Sequence, residues 1–268
     1  MATTVGAGAL QAGVDPIRQP AQLYRGIPFS AALLAVLLVH EFSHYFTSRR
    51  HAIAPTLPYF IPAPHFIGTF GAFIRMRGPV GDRRALLEVG ASGPLAGVAV
   101  AIVAMLVGLP LSEVRPMPPG EGGGLILGDS LLSWLLTRLL LGPLPETAAV
   151  IIHPVAFAGW IGLFITCLNL IPIGQLDGGH VMYALLGPRH RLVSRACLGL
   201  LVAWGAYGLL SGEGWPGWLL WGVLLMALGV GHPHPLDPLT PLDSRRRAIG
   251  WLTVLVFIAT FVPVPFKI

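Results

Sequence analysis

Charge is what this sequence has least of. Asp, Glu, Lys and Arg make up 11% of its 268 residues, less than half of the roughly 25% that coats an ordinary soluble domain. A water-soluble globular enzyme is thereby excluded. A disordered chain is excluded too, because 54% of the residues are hydrophobic and gain by leaving water. Lysine is almost missing: Lys267 stands alone against sixteen arginines. A net charge of +5 would raise nucleic acid as a partner in a soluble protein. No basic stripe with interleaved aromatics exists here, so no nucleic acid is expected. Cysteine is scarce as well, and Cys167 and Cys197 both fall in apolar runs, as small buried hydrophobes. The first 25 residues lack a basic stretch followed by an apolar one. No cleavable leader is expected, and the first span acts as the insertion signal.

What is present is a series of long apolar runs and a mean hydropathy of +0.73. The expected fold is an all-α multi-pass membrane protein in a lipid bilayer, with about six transmembrane helices near 27–47, 86–109, 149–171, 191–211, 215–231 and 248–265. Leu125 to Leu141 is apolar but interrupted by Asp129, Ser130, Ser133 and Arg138, and reads as an interfacial helix. Pro116–Gly124 reads as a flexible loop, and the whole outer segment 111–147 is too short for a folded module such as a PDZ domain. The arginines fix an orientation. Twelve lie in segments 48–85, 188–195 and 244–247, against five basic residues (Arg18, Arg25, Arg115, Arg138, Lys267) on the other side. The positive-inside rule puts the twelve in the cytoplasm and both termini outside.

Ionisable groups at membrane depth are costly, so each is a functional candidate. The first span ends in His40-Glu41-Phe42-Ser43-His44, the pattern HExxH. Imidazoles at i and i+4 share one helical face and reach a single ion, with Glu41 beside it where a general base is needed. Left without partners, three such residues within one turn would cost several kcal/mol in so apolar a span, on the order of the insertion penalties for ionisable groups. A catalytic zinc takes three protein ligands and keeps one position open. The search for a third ligand leads to Asp177, the only acid between Glu146 and Glu213, on the same membrane side as the two histidines. Pro172 and Gly174 break the helix before it, and Gly178 and Gly179 allow irregular backbone after it. Irregular backbone at that depth is tolerated where it lines a wet cavity. At about 1.5 Å per residue, Arg49 lies roughly 7–8 Å from His44 and 13–14 Å from His40, which sets an ion about 10 Å inside the leaflet.

HExxH in one span with Asn169-x-x-Pro172-x-x-x-x-Asp177-Gly178-Gly179 in a later one resembles the site-2 protease family of intramembrane zinc metalloproteases, in its compact form without a PDZ or CBS domain. Gly90-Ala91-Ser92-Gly93-Pro94-Leu95-Ala96-Gly97 is similar to that family's small-residue motif between the two zinc-binding spans. The resemblance covers a three-helix core and implies one Zn2+ per chain held by His40, His44 and Asp177, with Glu41 as catalytic base. It implies that Asn169 hydrogen-bonds the scissile carbonyl or the substrate backbone. It implies a metalloprotease core over 27–187, an extracytoplasmic segment 1–26 and C-terminal helices over 188–268. The implied substrate is a transmembrane peptide or protein, cut in or near the cytoplasmic leaflet. Oligomeric state is not legible. An arginine-rich, lysine-poor composition points to a bacterial inner membrane.

Pro55, Pro58, Pro62 and Pro64 prevent a helix over about 55–78, and Gly68 to Arg77, Gly71 included, reads as a glycine-punctuated strand. In the family such a segment is membrane-embedded β-structure beside the site, and a free strand edge can pair with an extended substrate. An interfacial loop anchored by Phe and Arg is the alternative. Gly90, Gly93, Ala96 and Gly97 allow close helix packing and, in a gating role, Gly93→Leu would alter cleavage without altering zinc content. His180 reads as a partner of the zinc aspartate or as packing, and His153 and Glu88 as satisfied side chains at span ends. His65 is a minor candidate for touching substrate. His232-Pro233-His234-Pro235 reads as a structured cytoplasmic loop, and Trp215, Trp218 and Trp221 as an interfacial belt. Three rival functions are weighed. One is a polytopic proton or metal-ion transporter using the same His, Glu and Asp. A second is a non-catalytic scaffold descended from a protease, whose usual mark is a lost ligand or base, whereas His40, Glu41, His44 and Asp177 are all present. The third is a protease of another class with a downstream Glu as third ligand, but Glu88, Glu113, Glu121, Glu146 and Glu213 lie nearer span ends or the outer side than Asp177.

Overall fold

The computed structural model describes residues 1–116, 125–145 and 147–267. The expected loop at Pro116–Gly124 falls almost wholly outside them, as do Glu121 and Glu146. A short helix α1 (Ala2–Gln11) and a 3-10 turn (Pro20–Gly26) precede α2 (Ile27–Arg50). Helix α2 holds no glycine, has Pro28 in its first turn where no backbone donor is lost, and ends in Arg49 and Arg50, which complement the helix dipole. Then come short strands β1 (Ala54–Pro55), β2 (Tyr59–Pro62), β3 (Thr69–Phe73) and β4 (Met76–Arg77). The Asp82 carboxylate caps α3 (Arg83–Gly108) by accepting from the Ala85 N–H at 2.8 Å. Strands β5 (Glu113–Pro116) and β6 (Ile126–Leu127) flank the outer segment, followed by α4 (Leu131–Leu141), β7 (Ala148–Ile151) and α5 (Pro154–Leu170). After a break, α6 (Asp177–Leu186), α7 (His190–Ser211), α8 (Gly217–Leu228), α9 (Ser244–Thr260) and β8 (Phe266–Lys267) complete the chain.

Helices α2, α3 and α5 pack as one unit, with α6 against α3 below α5. Small residues set their spacing. A Cβ on Gly162 would sit 3.0 Å from both Ala101 and Val36, so three backbones approach at the point where α5 crosses α2 and α3. Phe29, Leu33, Ile161, Leu163 and Ile171 are essentially fully buried there. Asn169 and Leu170 end α5 because Pro172 disfavours helical geometry in the residue before it and has no N–H to donate.

The β segment is two antiparallel ladders in series. Ala54 faces Arg77 in the first, and Tyr59 faces Phe73 in the second, with an irregularity at Ile61/Pro62. The ladder leaves α2 at its arginine end, yet its tip reaches the opposite end. The Gln11 amide donates to Phe66 O at 3.0 Å, and Phe66 lies edge-on to Phe266 at 5.5 Å. Since α1 is tied to the start of α2 through Thr4 and Ser30 (2.6 Å between hydroxyls), the hairpin runs back along α2. Its Tyr59, Phe60, Phe70 and Phe73 side chains are exposed. The interfacial-loop alternative does not describe this arrangement.

Three helical stretches among the described residues are long and apolar enough to cross a membrane: Pro20–Arg50, Arg83–Leu111 and Asp177–Ser211. The other expected spans are shorter helices. Strand β7 takes the first residues of the expected third span, leaving α5 with 17. Helix α8 has 12, because Pro216 and Gly229 bound it. Helix α9 has 17 and stops before Pro263 and Pro265. The tryptophan belt is corrected as well. Trp218 is fully buried and donates its indole N–H to Pro263 O at 2.9 Å, packing α8 against the chain after α9.

Candidate metal centre

His40 and His44 stand one turn apart on α2, and Asp177 is the first residue of α6, 133 positions after His44. The break after α5 turns the chain so that its carboxylate meets the two imidazoles. His40 Nε2 and His44 Nε2 are 3.1 Å apart, and Asp177 Oδ2 is 3.4 Å from the first and 3.2 Å from the second. A tetrahedral ion with bonds of about 2.0–2.1 Å separates its ligand atoms by about 3.3–3.4 Å. The triangle fits one ion, and the donor set, two imidazoles and a carboxylate, is that of a catalytic site with one position left open.

The tautomer of His44 is set by its surroundings. Its Nδ1–H donates to Val89 O at 2.8 Å, which leaves the Nε2 lone pair free for a metal. The glycines of α3 make room for the rings. A Cβ at Gly93 would lie 2.1 Å from His44 Nε2, and one at Gly97 would lie 3.0 Å from His40 Nδ1. Gly93 therefore seats a candidate ligand, and Gly93→Leu is expected to change metal content as well as any gating.

Glu41, the residue after His40 on α2, is buried at 5% exposure. Asn169 Nδ2 is 3.4 Å from His40 Nε2, so the asparagine is at the centre. Gly71 is not among the groups that converge there. It sits in β3 opposite Ile61 with φ +110°, and its N–H donates to the Thr69 hydroxyl at 3.0 Å, a backbone state that explains the glycine. His65 turns its ring inward to accept from the Ile67 N–H at the hairpin tip. His153 caps α5, and Glu88 accepts from His51 at 2.7 Å and Arg246 at 2.6 Å, joining α2, α3 and α9. His180 pairs with His232 rather than with Asp177. Val89 went unread in the sequence. Only the spacing of Gly90, Gly93 and Gly97 along one helical face carried a signal for it.

Residues 28–210 match the family model described as Peptidase family M50. The chain belongs to that family. It is 33% identical over 249 residues to "Probable zinc metalloprotease EGY2, chloroplastic" of Oryza sativa subsp. indica, covering 90% of this chain and 43% of that protein. It is 31% identical over 248 residues to the Arabidopsis thaliana protein of the same description, covering 90% and 42%. It is 30% identical over 246 residues to "Probable zinc metalloprotease EGY1, chloroplastic" of Arabidopsis thaliana, covering 89% and 43%. The chain spans less than half the length of these relatives. Their names place them in chloroplasts, which gives the expected bacterial inner membrane no support.

Proposed function

We propose that this M50 member is an intramembrane zinc metalloprotease that hydrolyses a peptide bond of a membrane-embedded protein. The observation that carries this reading is the convergence of His40, His44 and Asp177 beside Glu41 inside an apolar helical core. In this reading the three residues hold one Zn2+. Held there, the ion would supply Lewis acidity and would acidify the attacking water. Glu41, the catalytic base, takes the proton of the attacking water and returns it to the leaving amine. The Asn169 amide, within reach of His40, donates to the scissile carbonyl or the substrate backbone. Among the described residues, strand β3 pairs with β2 along one edge only. A substrate unwound into an extended strand adds to the other edge, across Gly71, and is delivered to the base. The side bearing the twelve arginines is the cytoplasmic one, and the centre opens towards it. Residues 27–187 supply all of these groups, and 188–268 brace them.

The test is zinc per purified chain, with cleavage of a membrane-protein substrate as second readout. Wild type should hold about one zinc, the stoichiometry of a single catalytic ion. Glu41→Gln should keep the ion and lose about 10²–10⁴-fold in cleavage, the usual worth of a general base. Asp177→Ala should lose the ion. Binding indifferent to Asp177 would refute the three-ligand centre. Ion flux through proteoliposomes that survived Glu41→Gln would favour a transporter.

A further inference from the structure

The loop between α8 and α9 makes three side-chain contacts that the proposed chemistry leaves unexplained, and all of them converge on the helix that begins with Asp177. His180, one turn into α6, lies with its Nδ1 2.6 Å from His232 Nε2. His232 turns its other ring nitrogen, Nδ1, to Pro233 O. With Nδ1–H donating there, Nε2 is the acceptor, and His180 Nδ1–H is the donor. The His232 ring stacks on Tyr183 (4.6 Å, 19°), one turn further along α6. Tyr183 donates its hydroxyl proton to His234 Nδ1. Pro233 and Pro235 hold the backbone extended, so the two histidines reach successive turns of one helix. No third donor joins His180 and His232 closely enough to make them a metal site among the described residues.

The same loop also touches the chain before Asp177. Gly174, at φ +58°, stands where a Cβ would meet Gly229 O at 2.5 Å. The far side of the first turn of α6 rests on α3, where a Cβ at Gly90 would lie 2.8 Å from His180 Cβ and 3.1 Å from Asp177 O. We propose that residues 229–235 form a latch that positions Asp177, gripping the chain three residues before it at Gly174 and three after it at His180, and pressing that turn onto α3. His232 is then a positioning residue for the metal centre, 55 residues downstream of the aspartate it serves. Without the latch, the carboxylate is carried by a helix free to lift from α3, and the triangle of ligand atoms opens.

This inference rests on the reading of His40, His44 and Asp177 as the ligands of one ion, and the test separates the two. Zinc affinity of the full chain in detergent is measured by competition with a chelator for wild type, His232→Phe and His232→Gln. The absorption spectrum of the Co2+-loaded proteins is recorded alongside. Phe keeps the stack on Tyr183 and loses the acceptor; Gln keeps an acceptor for His180. The expectation is an affinity about ten-fold weaker in His232→Phe, the lower end of what partners that orient ligands contribute. Its Co2+ spectrum should shift, and both should return towards wild type in His232→Gln. Wild-type affinity in His232→Phe, or equal losses in both variants, would overturn the latch while leaving the metal centre standing. A wild type that holds no metal would overturn the proposed function and the latch with it. Should His232→Phe fail to fold, Tyr183→Phe deletes a single hydroxyl. A several-fold weaker hold on zinc then supports the latch, and unchanged affinity overturns it.

Discussion

Gly93→Ala should separate metal binding from folding. A methyl there would stand 2.1 Å from His44 Nε2, 2.4 Å from Cδ2 and 2.6 Å from Cε1. Ordinary contact begins near 3.5 Å, so the ring must retreat by at least about 1 Å. Ligand distances in a working metal site hold to within about 0.2 Å, so a displacement of that size removes His44 from coordination and breaks its bond to Val89 O. The obstruction is the end of a side chain rather than backbone, so the helices themselves can stay in place. The expected result is a chain with wild-type helicity by circular dichroism and a zinc content well under half of wild type. Gly97→Ala is the graded comparison. Its methyl meets His40 Nδ1 at 3.0 Å and Cβ at 3.3 Å, which a shift of a few tenths of an ångström relieves, so zinc should be retained with weakened affinity. Gly81→Ala, with nothing within 4 Å, is the control. Equal zinc in Gly93→Ala and Gly81→Ala would refute the claim that Gly93 seats a ligand.

Chelation should abolish cleavage, and added Zn2+ should restore it with little change in helix content, because α2, α3 and α5 are held by apolar packing; permanent loss of helix on chelation would contradict this. Acidification should loosen the 229–243 loop. Burial, and then the neighbouring His180, lower the His232 pKa to about 4. The folded loop keeps that ring neutral, whereas a released loop protonates near the ordinary value of about 6.5. The stabilisation is present above about 6.5 and is lost as pH falls from there towards 4. Hydrogen exchange of the loop amides should therefore quicken between pH 7.5 and 5.5, corrected for intrinsic rates, and His232→Gln should flatten that dependence. Glu88→Ala deprives His51 and Arg246 of their shared acceptor and should cost about 1–2 kcal/mol, given that the group is part-exposed. A thermal midpoint in detergent equal to wild type would show that the junction of α2, α3 and α9 does not depend on it.

The metal triad was legible because its constraints are local or extreme. HExxH follows from the pitch of a helix, and Asp177 is a lone acid in a long apolar stretch flanked by helix breakers. The β segment was legible through prolines that forbid a helix. Its course back along α2 was not, since nothing in residues 54–77 specifies that the tip meets α1 and Phe266. Helix boundaries were less legible, because apolar composition does not distinguish crossing from packing. Residues 149–151 are as apolar as their neighbours yet pair with β5, and Trp218 is core although tryptophans next to glycine and proline look interfacial. Gly93 was read as a packing residue in the abstract. Which ring it packs against depends on the register of α3 against α2, a tertiary quantity.

The separation of the ligands along the chain has a consequence for biosynthesis. His44 leaves the ribosome 133 residues before Asp177. At roughly 5–20 residues per second, that is an interval of about 7–27 seconds in which the histidine pair exists without its carboxylate. During that time the nascent chain shares the insertion machinery's surroundings with other half-made membrane proteins, themselves unpacked and extended. An HExxH helix alone offers two ligands and no closed centre. The candidate metal centre is completed only by a residue that arrives with the α5–α6 break, after the helices that confine it have been laid down.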